Sequence, residues 1–398
     1  MKRIYLDHAA TTPVRAEVVA ATVEYMTTKF GNPSSVHSFS REVKEGVEKA
    51  RAQVAGLINA TPEEIIFTSG GTEADNMAII GLARAYAAKG KHIITSAIEH
   101  HAVLDTCKAL EKEGFTVTVL PVDEYGFIGI EKLQAAITAD TILVTIMHVN
   151  NEVGTIEPIA EIGRVARENG IFFHTDAVQS VGKVPLDVEK MKIDLLTGSG
   201  HKIYGPKGTG FLYVGKGIKL NPLFFGGGQE KKRRSGTENV PGIIGLGLAS
   251  ELAGKELETE MARQAVLRNM LIEGLLDRIP YTRLNGHREL RIASNVNISF
   301  EYVEGESLLL SLDLQGVAAS SGSACTSGSL EPSHVLTAMG ICHETAHGSV
   351  RMTLGRETTN EDIEYVLGIF PPIVERLRAM SPLYDTKGRE CGECTLKK

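Results

Sequence analysis

Between residues 64 and 214 the chain alternates seven short β-rich runs with helical stretches, and this alternation narrows the fold more than any other feature. The runs are EIIFTS (64–69), KHIITS (91–96), TVTVLPV (116–122), TILVTIMHV (141–149), IFFHTDAV (171–178), IDLLTGS (193–199) and GTGFLYV (208–214). Between them, HAVLDTCKALEKEG (101–114) gathers Val103, Leu104, Cys107 and Leu110 on one helical face and stops at Gly114. PIAEIGRVARENG (158–170) does the same with Ile159, Ile162 and Val165; it opens on Pro158, where a missing N–H is harmless, and closes at Gly170. Strands joined through helices cross over and run parallel, and the helices then cover both sheet faces. The expected fold is α/β, with a mostly parallel seven-stranded sheet sandwiched by helices.

Beyond residue 240 the texture changes. A long helical region at about 242–278 leads to strand SNVNISF (294–300), helix EGESLLLSLDL (304–314), strand VRMTL (350–354) and helix TNEDIEYVLGIF (359–370). This predicts a smaller α+β domain built from residues 1–13 and 256–384 beside a large domain at 14–255, with a polar, aperiodic and flexible tail at 385–398.

With 398 residues, 42% hydrophobic and 23% charged, the chain can bury two substantial cores. A net charge of −7 argues against nucleic acid as the main partner, and Lys231–Arg234 (KKRR) reads as a solvated turn. No stretch is long and apolar enough to cross a bilayer, and the start, MKRIYLDHAATTPVRAEV, lacks a signal-peptide core, so the expected location is the cytoplasm. The five cysteines, at 107, 325, 342, 391 and 394, are an odd number in a reducing compartment, which argues against a disulfide framework. Cys107 and Cys342 read as packing residues. Cys391 and Cys394 form a Cys-Gly-Glu-Cys that is either incidental or half of a zinc-type or redox pair.

Three strand ends carry chemistry. In FTSGGTEADNMAIIGLA (67–83) a strand runs through Gly70-Gly71-Thr72 into a helix, which is either a phosphate cradle or a tight turn with Thr72 as N-cap. Asp176 and Gln179 follow another strand, where ligands bind in doubly wound sheets, although an Asp there can simply cap a helix. Lys202, after Ser199-Gly200-His201, is either a surface lysine or a desolvated amine able to bond an aldehyde. All fall on one edge of the expected sheet, and an anion cradle, an acid and an amine together meet the needs of pyridoxal 5'-phosphate. Cys325 lies apart, in SSGSACTSGS (320–329), where a thiol has no core to enter; the segment is a linker or it carries a mobile nucleophile.

The ordered set YLDHAATTP (5–13), GNPSSVH (31–37), TSGGTEADN (68–76), EHHAVLD (99–105), NNEVG (150–154), HTDAVQS (174–180), SGSGHKIYGPKG (197–208), RRSGTEN (233–239), SSGSACTSG (320–328) and VRMTLGR (350–356) resembles the cysteine desulfurases of the NifS/IscS type, in the class V aminotransferase family of pyridoxal-phosphate fold type I. The resemblance covers nearly the whole chain. It implies that Lys202 bonds the cofactor aldehyde, Asp176 pairs with the ring nitrogen, Gln179 meets the phenolic oxygen and His100 stacks on the ring and assists proton transfer as a catalytic residue. A lone histidine after a strand is otherwise a capping or surface residue. Gly71, Thr72, Ser199 and His201 would surround the phosphate, Thr237 would reach the phosphate of a partner subunit in a homodimer, and Asn151 and Arg351 would hold the substrate carboxylate.

The same resemblance assigns the opening chemistry of the Gly/Ser segment. L-cysteine would give up its sulfur to Cys325 as a persulfide and leave as alanine, and the loop would deliver the sulfur to an iron–sulfur scaffold protein of the IscU or NifU kind. No metal is required, although Cys325 is a possible transient ligand of a nascent cluster. The alternatives are a selenocysteine lyase, which needs no protein thiol, and a catalytically silent scaffold for iron–sulfur assembly.

Overall fold

The computed structural model describes residues 2–321 and 332–385. After a short β1 (Ile4–Tyr5), each of the seven expected runs is a strand of one sheet: β2 (Ile65–Thr68), β3 (His92–Ser96), β4 (Thr116–Leu120), β5 (Thr141–Thr145), β6 (Phe172–Asp176), β7 (Leu195–Ser199) and β8 (Gly210–Val214). Their spatial order is β2-β8-β7-β6-β5-β3-β4. The strands from β4 to β7 are parallel, while β8 runs back antiparallel to both β7 and β2. With β8 reversed between them, β2 and β7 point the same way, so the carboxyl ends of β2, β6 and β7 share one edge.

The helices that precede and separate these strands are α1 (Ala16–Thr27), α2 (Ser38–Leu57), α3 (Gly71–Tyr86), α4 (His101–Glu111), α5 (Ile130–Ala136) and α6 (Ile159–Glu168). On one sheet face Val54 of α2 and Ile162 and Val165 of α6 pack with Val144 and Phe173; on the other, Leu82 of α3 and Val103 and Leu110 of α4 pack with Ile93, Leu143 and Leu195. Burial on both faces explains why the strands read as continuous apolar runs. Cys107 belongs to the second of these cores, and burial pushes its thiol up to about 12, so it is a packing residue and not a nucleophile.

The 39-residue α7 (Val240–Arg278) joins two cores: Val240, Ile243 and Leu246 enter the first, and Leu267, Leu271 and Leu275 enter another. That further core is built on an antiparallel sheet of order β12-β10-β9, comprising β9 (Thr282–Leu284), β10 (Asn295–Phe300) and β12 (Ser349–Thr353). It is covered by α8 (Gly305–Asp313) and α11 (Asn360–Ala379), and Phe300 stacks on Phe370 at 4.9 Å. The short α9 (His334–Ala338) and α10 (His343–His347) precede β12, and β11 (Val317–Ala318) pairs in parallel with β1. Ile4 and Leu6 enter this core too.

Helix α11 runs nine residues past its expected end at 370, through Pro371 and Pro372. Proline 371 cannot donate to the carbonyl of Leu367, which would be left unpaired in the helix. Arg278, from the end of α7, donates to that carbonyl at 3.0 Å and satisfies it. Among the described residues no helix is long and apolar enough to cross a membrane.

Candidate active site

At the end of β2 the chain passes Ser69 and enters α3 with Gly70, at φ +158°, as N-cap. Thr72 is therefore inside the first turn and is not the cap, and no side chain caps the helix start. A Cβ on Gly71 would sit 2.8 Å from the Val178 side chain, so α3 begins hard against the segment that follows β6. Glu73 folds back to accept from Ser69 N–H at 3.0 Å and pairs with Arg234 at 2.7 Å.

Asp176 is the last residue of β6 and accepts from Val178 N–H at 2.9 Å; Gln179 donates one amide N–H to the Ala9 carbonyl at 3.0 Å. Ser199 closes β7, and a single 3-10 turn, Gly200–Lys202, swings Lys202 over the sheet edge. Its Nζ donates to the carbonyls of Ala9 at 2.6 Å and Ala10 at 2.7 Å. His201 Nδ1 meets Thr11 Oγ1 at 3.2 Å, and Thr12 Oγ1 donates to the His201 carbonyl at 3.0 Å. Residues 9–12 thus form a strap across the lysine.

One cleft of about 1190 Å³ brings together Gly71, Thr72, His100, Asn151, Asp176, Gln179, Ser199, His201, Lys202 and Arg351. Of the expected residues, Thr237 lies outside it, exposed on the loop before α7, and Cys325 falls outside the described residues, as do Cys391 and Cys394. The cleft also contains Asp75, His101, Glu152 and His334, which sequence reasoning did not place there.

His100 caps a helix, as a lone histidine after a strand can, and it also lines the cleft. It is the N-cap of α4, its Nδ1 accepting from Ala102 N–H at 3.0 Å. An accepting Nδ1 leaves the ring proton of the neutral imidazole on Nε2.

Asp75 and Asp176 are buried together. Burial and the Asp176 charge push Asp75 well up, so Asp75 holds the proton. Burial raises Asp176 too, but His100, the Val178 N–H and Lys202 all favour its charged form, and it is the carboxylate of the pair that ionises first. Burial raises Glu152 to about 7, against the pull of a Ser333 hydroxyl bond and the Arg351 charge.

Arg351 stands in the middle of β12, opposite Asn297. Its Nη2 donates to Asp7 Oδ1 at 2.9 Å and its Nη1 to the Asn151 carbonyl at 3.1 Å. Its Nε is buried with no hydrogen-bond partner among the described residues. A guanidinium held on two sides with a third donor unspent is prepared for a carboxylate.

Residues 4–366 match the class V aminotransferase family model. The chain belongs to that family. It is 59% identical over 96% of its length to a cysteine desulfurase IscS of Methanosarcina thermophila, covering 94% of that protein, and 56% identical over 96% to a cysteine desulfurase IscS of Dictyoglomus turgidum, covering 97%. A solved NifS-like protein superposes with a TM-score of 0.89 at 37% identity, over 94% of this chain and 100% of that one.

Class V aminotransferases work with pyridoxal phosphate, and the residues present fit it. Among the described residues the buried Ser199 hydroxyl has no hydrogen-bond partner, and it lies beside the uncapped start of α3, which is the donor set a phosphate requires. An amine on Lys202 and a buried acid at Asp176 line the same cleft, matching the aldehyde and the ring nitrogen.

Asp7 and Glu152 were missed as site residues, although they lie inside the motifs YLDHAATTP and NNEVG. Their partners, Arg351 and Ser333, are 344 and 181 residues away, and spacing gives no sign of either contact.

Proposed function

We propose that this chain is a pyridoxal-phosphate-dependent cysteine desulfurase that converts L-cysteine to L-alanine and retains the sulfur as a persulfide on Cys325. The observation that carries the reading is the single cleft in which Lys202, Asp176 and Arg351 meet.

When bound, the cofactor supplies an electron sink that weakens the bonds at the substrate's α- and β-carbons. Ser199, His201, Gly71 and Thr72 would hold its phosphate, Asp176 would keep a proton on its ring nitrogen, Gln179 would meet its phenolic oxygen, and His100 would cover its face. Arg351 and Asn151 grip the substrate carboxylate, which fixes the α-hydrogen toward Lys202. Lys202 would take that proton and hold it on Nζ for return. The Cys325 thiolate attacks the substrate sulfur: an S–S bond forms, the C–S bond breaks, and its electron pair stays with carbon, which takes up a proton and leaves as alanine.

The exposed Thr237 loop, with Phe225 at 87% exposure, fits a homodimer in which Thr237 reaches the partner's phosphate. The persulfide then serves a cytoplasmic iron–sulfur scaffold of the IscU or NifU kind. The deciding experiment measures alanine and sulfide release from L-cysteine with a thiol reductant, in the parent and in Cys325→Ala. We expect both products to fall to background in the variant while the yellow cofactor band persists. Undiminished release would overturn the reading in favour of a lyase that expels its leaving group directly.

A further inference from the structure

His334 opens α9 and lines the active cleft, half-buried. Val335 and Leu336 root that helix in the first core. Its N-cap, Ser333, is buried and donates its hydroxyl proton to Glu152, the neighbour of Asn151. His334 itself meets the carbonyl of Glu99, the neighbour of His100, through Nε2 at 3.0 Å. The start of α9 is therefore fastened to both of the segments that carry Asn151 and His100. A cysteine gripped by its carboxylate at Asn151 and lying against His100 has its side chain in the same part of the cleft as the His334 ring.

A carbonyl oxygen only accepts, so His334 Nε2 carries the ring proton, and the neutral imidazole keeps its lone pair on Nδ1. The bond to Glu99 is the ring's one hydrogen bond among the described residues. His100 is the reverse case, with Nδ1 accepting from Ala102 N–H and the proton on Nε2. The cleft thus holds one histidine whose second nitrogen donates and another whose second nitrogen accepts. Around His334 stand His101, with ring centroids 4.9 Å apart, Asp105 at 3.9 Å from His101 Nδ1, and Glu152 through Ser333. Burial pushes His334 below its ordinary 6.5; the Glu99 carbonyl and Asp105 favour its charged form, while His101 and His100 oppose it. The ring is neutral at pH 7.

We propose that His334 is a further catalytic base, its Nδ1 taking the proton of the substrate's thiol. The proposal deepens the desulfurase reading above and rests on it. A cysteine thiol keeps its proton at pH 7. As the Cys325 thiolate attacks, the S–S bond forms, the C–S bond breaks with its electron pair left on carbon, and the S–H proton moves to His334 Nδ1. The sulfur stays on the enzyme as a persulfide anion, and the histidine then sheds its proton to water. Lys202 remains the base for the α-hydrogen, so the two proton transfers have separate acceptors.

The test separates those transfers in the full-length holoprotein. His334→Gln keeps an N–H donor for the Glu99 carbonyl and removes the basic nitrogen. Exchange of the α-hydrogen of L-alanine with deuterated water reads Lys202 and the carboxylate grip without any thiol. In the variant it should stay within about twofold of the parent, while alanine formation from L-cysteine falls about 100-fold. Nitrogen-15 NMR of the parent should show His334 protonated on Nε2 alone at pH 7, its signal assigned by its loss in the variant. His334→Asn stands in should the glutamine variant fail to fold. Alanine formation within about threefold of the parent's, an equal fall in exchange, or a proton on Nδ1 at pH 7 overturns the proposal. A parent that exchanges the α-hydrogen yet makes no alanine from L-cysteine overturns the desulfurase reading instead.

Discussion

Arg351, which lines the cleft, is held by its neighbours before any substrate arrives: Asp7 and the Asn151 carbonyl take its two terminal nitrogens. Lysine at this position can keep one contact but not the planar fork, so Arg351→Lys should raise KM for L-cysteine by about 10- to 100-fold. Steady-state kinetics should show kcat changing less than KM, because a carboxylate grip acts on bound substrate and transition state alike. Much of the site was legible at this scale. Asp176, Ser199 and Lys202 each sit at or just past a strand end, and strand ends could be read from runs of apolar residues. Glu152 and Asp7 were hidden because a buried carboxylate is recognised by its partner, and theirs come from distant parts of the chain.

The loop before α7 exposes what pattern reading misses at the level of elements. KKRR was expected to be a solvated turn, and Lys231 and Lys232 are indeed exposed, but Glu230, Lys231 and Lys232 all have left-handed φ, at +44°, +56° and +65°. Such a run costs about 1–2 kcal/mol per residue. The compensation is on Glu230, whose carboxylate is 5% exposed, accepts two bonds from Arg51 at 2.8 Å and takes the Phe67 N–H at 3.1 Å. Arg51→Met leaves that carboxylate buried and unpaired, and should destabilise the protein by about 3–5 kcal/mol in chemical denaturation. The double variant Arg51→Met/Glu230→Met should recover more than half of the loss. Recovery of none would show that the turn is held by something other than this pair. No sequence period announces a left-handed turn of non-glycine residues, because its cause lies 179 residues back in α2.

Across the whole molecule, the parallel sheet followed from the alternation of strands and helices, and the position of the cleft followed from the sheet. The antiparallel insertion of β8 did not, since a reversed strand carries the same apolar run as a parallel one. Packing so many functional groups beneath that edge leaves ionisable residues in the core. Burial raises Glu99 from its ordinary 4.5 to about 8, although Ser96 Oγ at 2.6 Å and Met147 N–H at 2.9 Å both hold its carboxyl group. Between these two pH values the folded protein keeps a proton that the unfolded chain releases, so this group's contribution to stability falls as pH rises. Glu99→Gln should therefore gain in melting temperature relative to the parent progressively from about pH 4.5 to 8, with no further change above. A constant difference across that range would mean that Glu99 does not titrate on unfolding.

The strap of residues 9–12 has one more consequence, for the order in which the protein is made. Lys202 rests on the carbonyls of Ala9 and Ala10, Ala9 N–H donates to Thr353 Oγ1 at 2.8 Å, and His8 Nδ1 meets the Thr353 carbonyl at 3.0 Å. Ala9 must wait for Thr353, made 344 residues later, before it can settle. A nascent chain consequently has its reactive amine translated well before it is fastened in place, and becomes competent only after Thr353 has emerged.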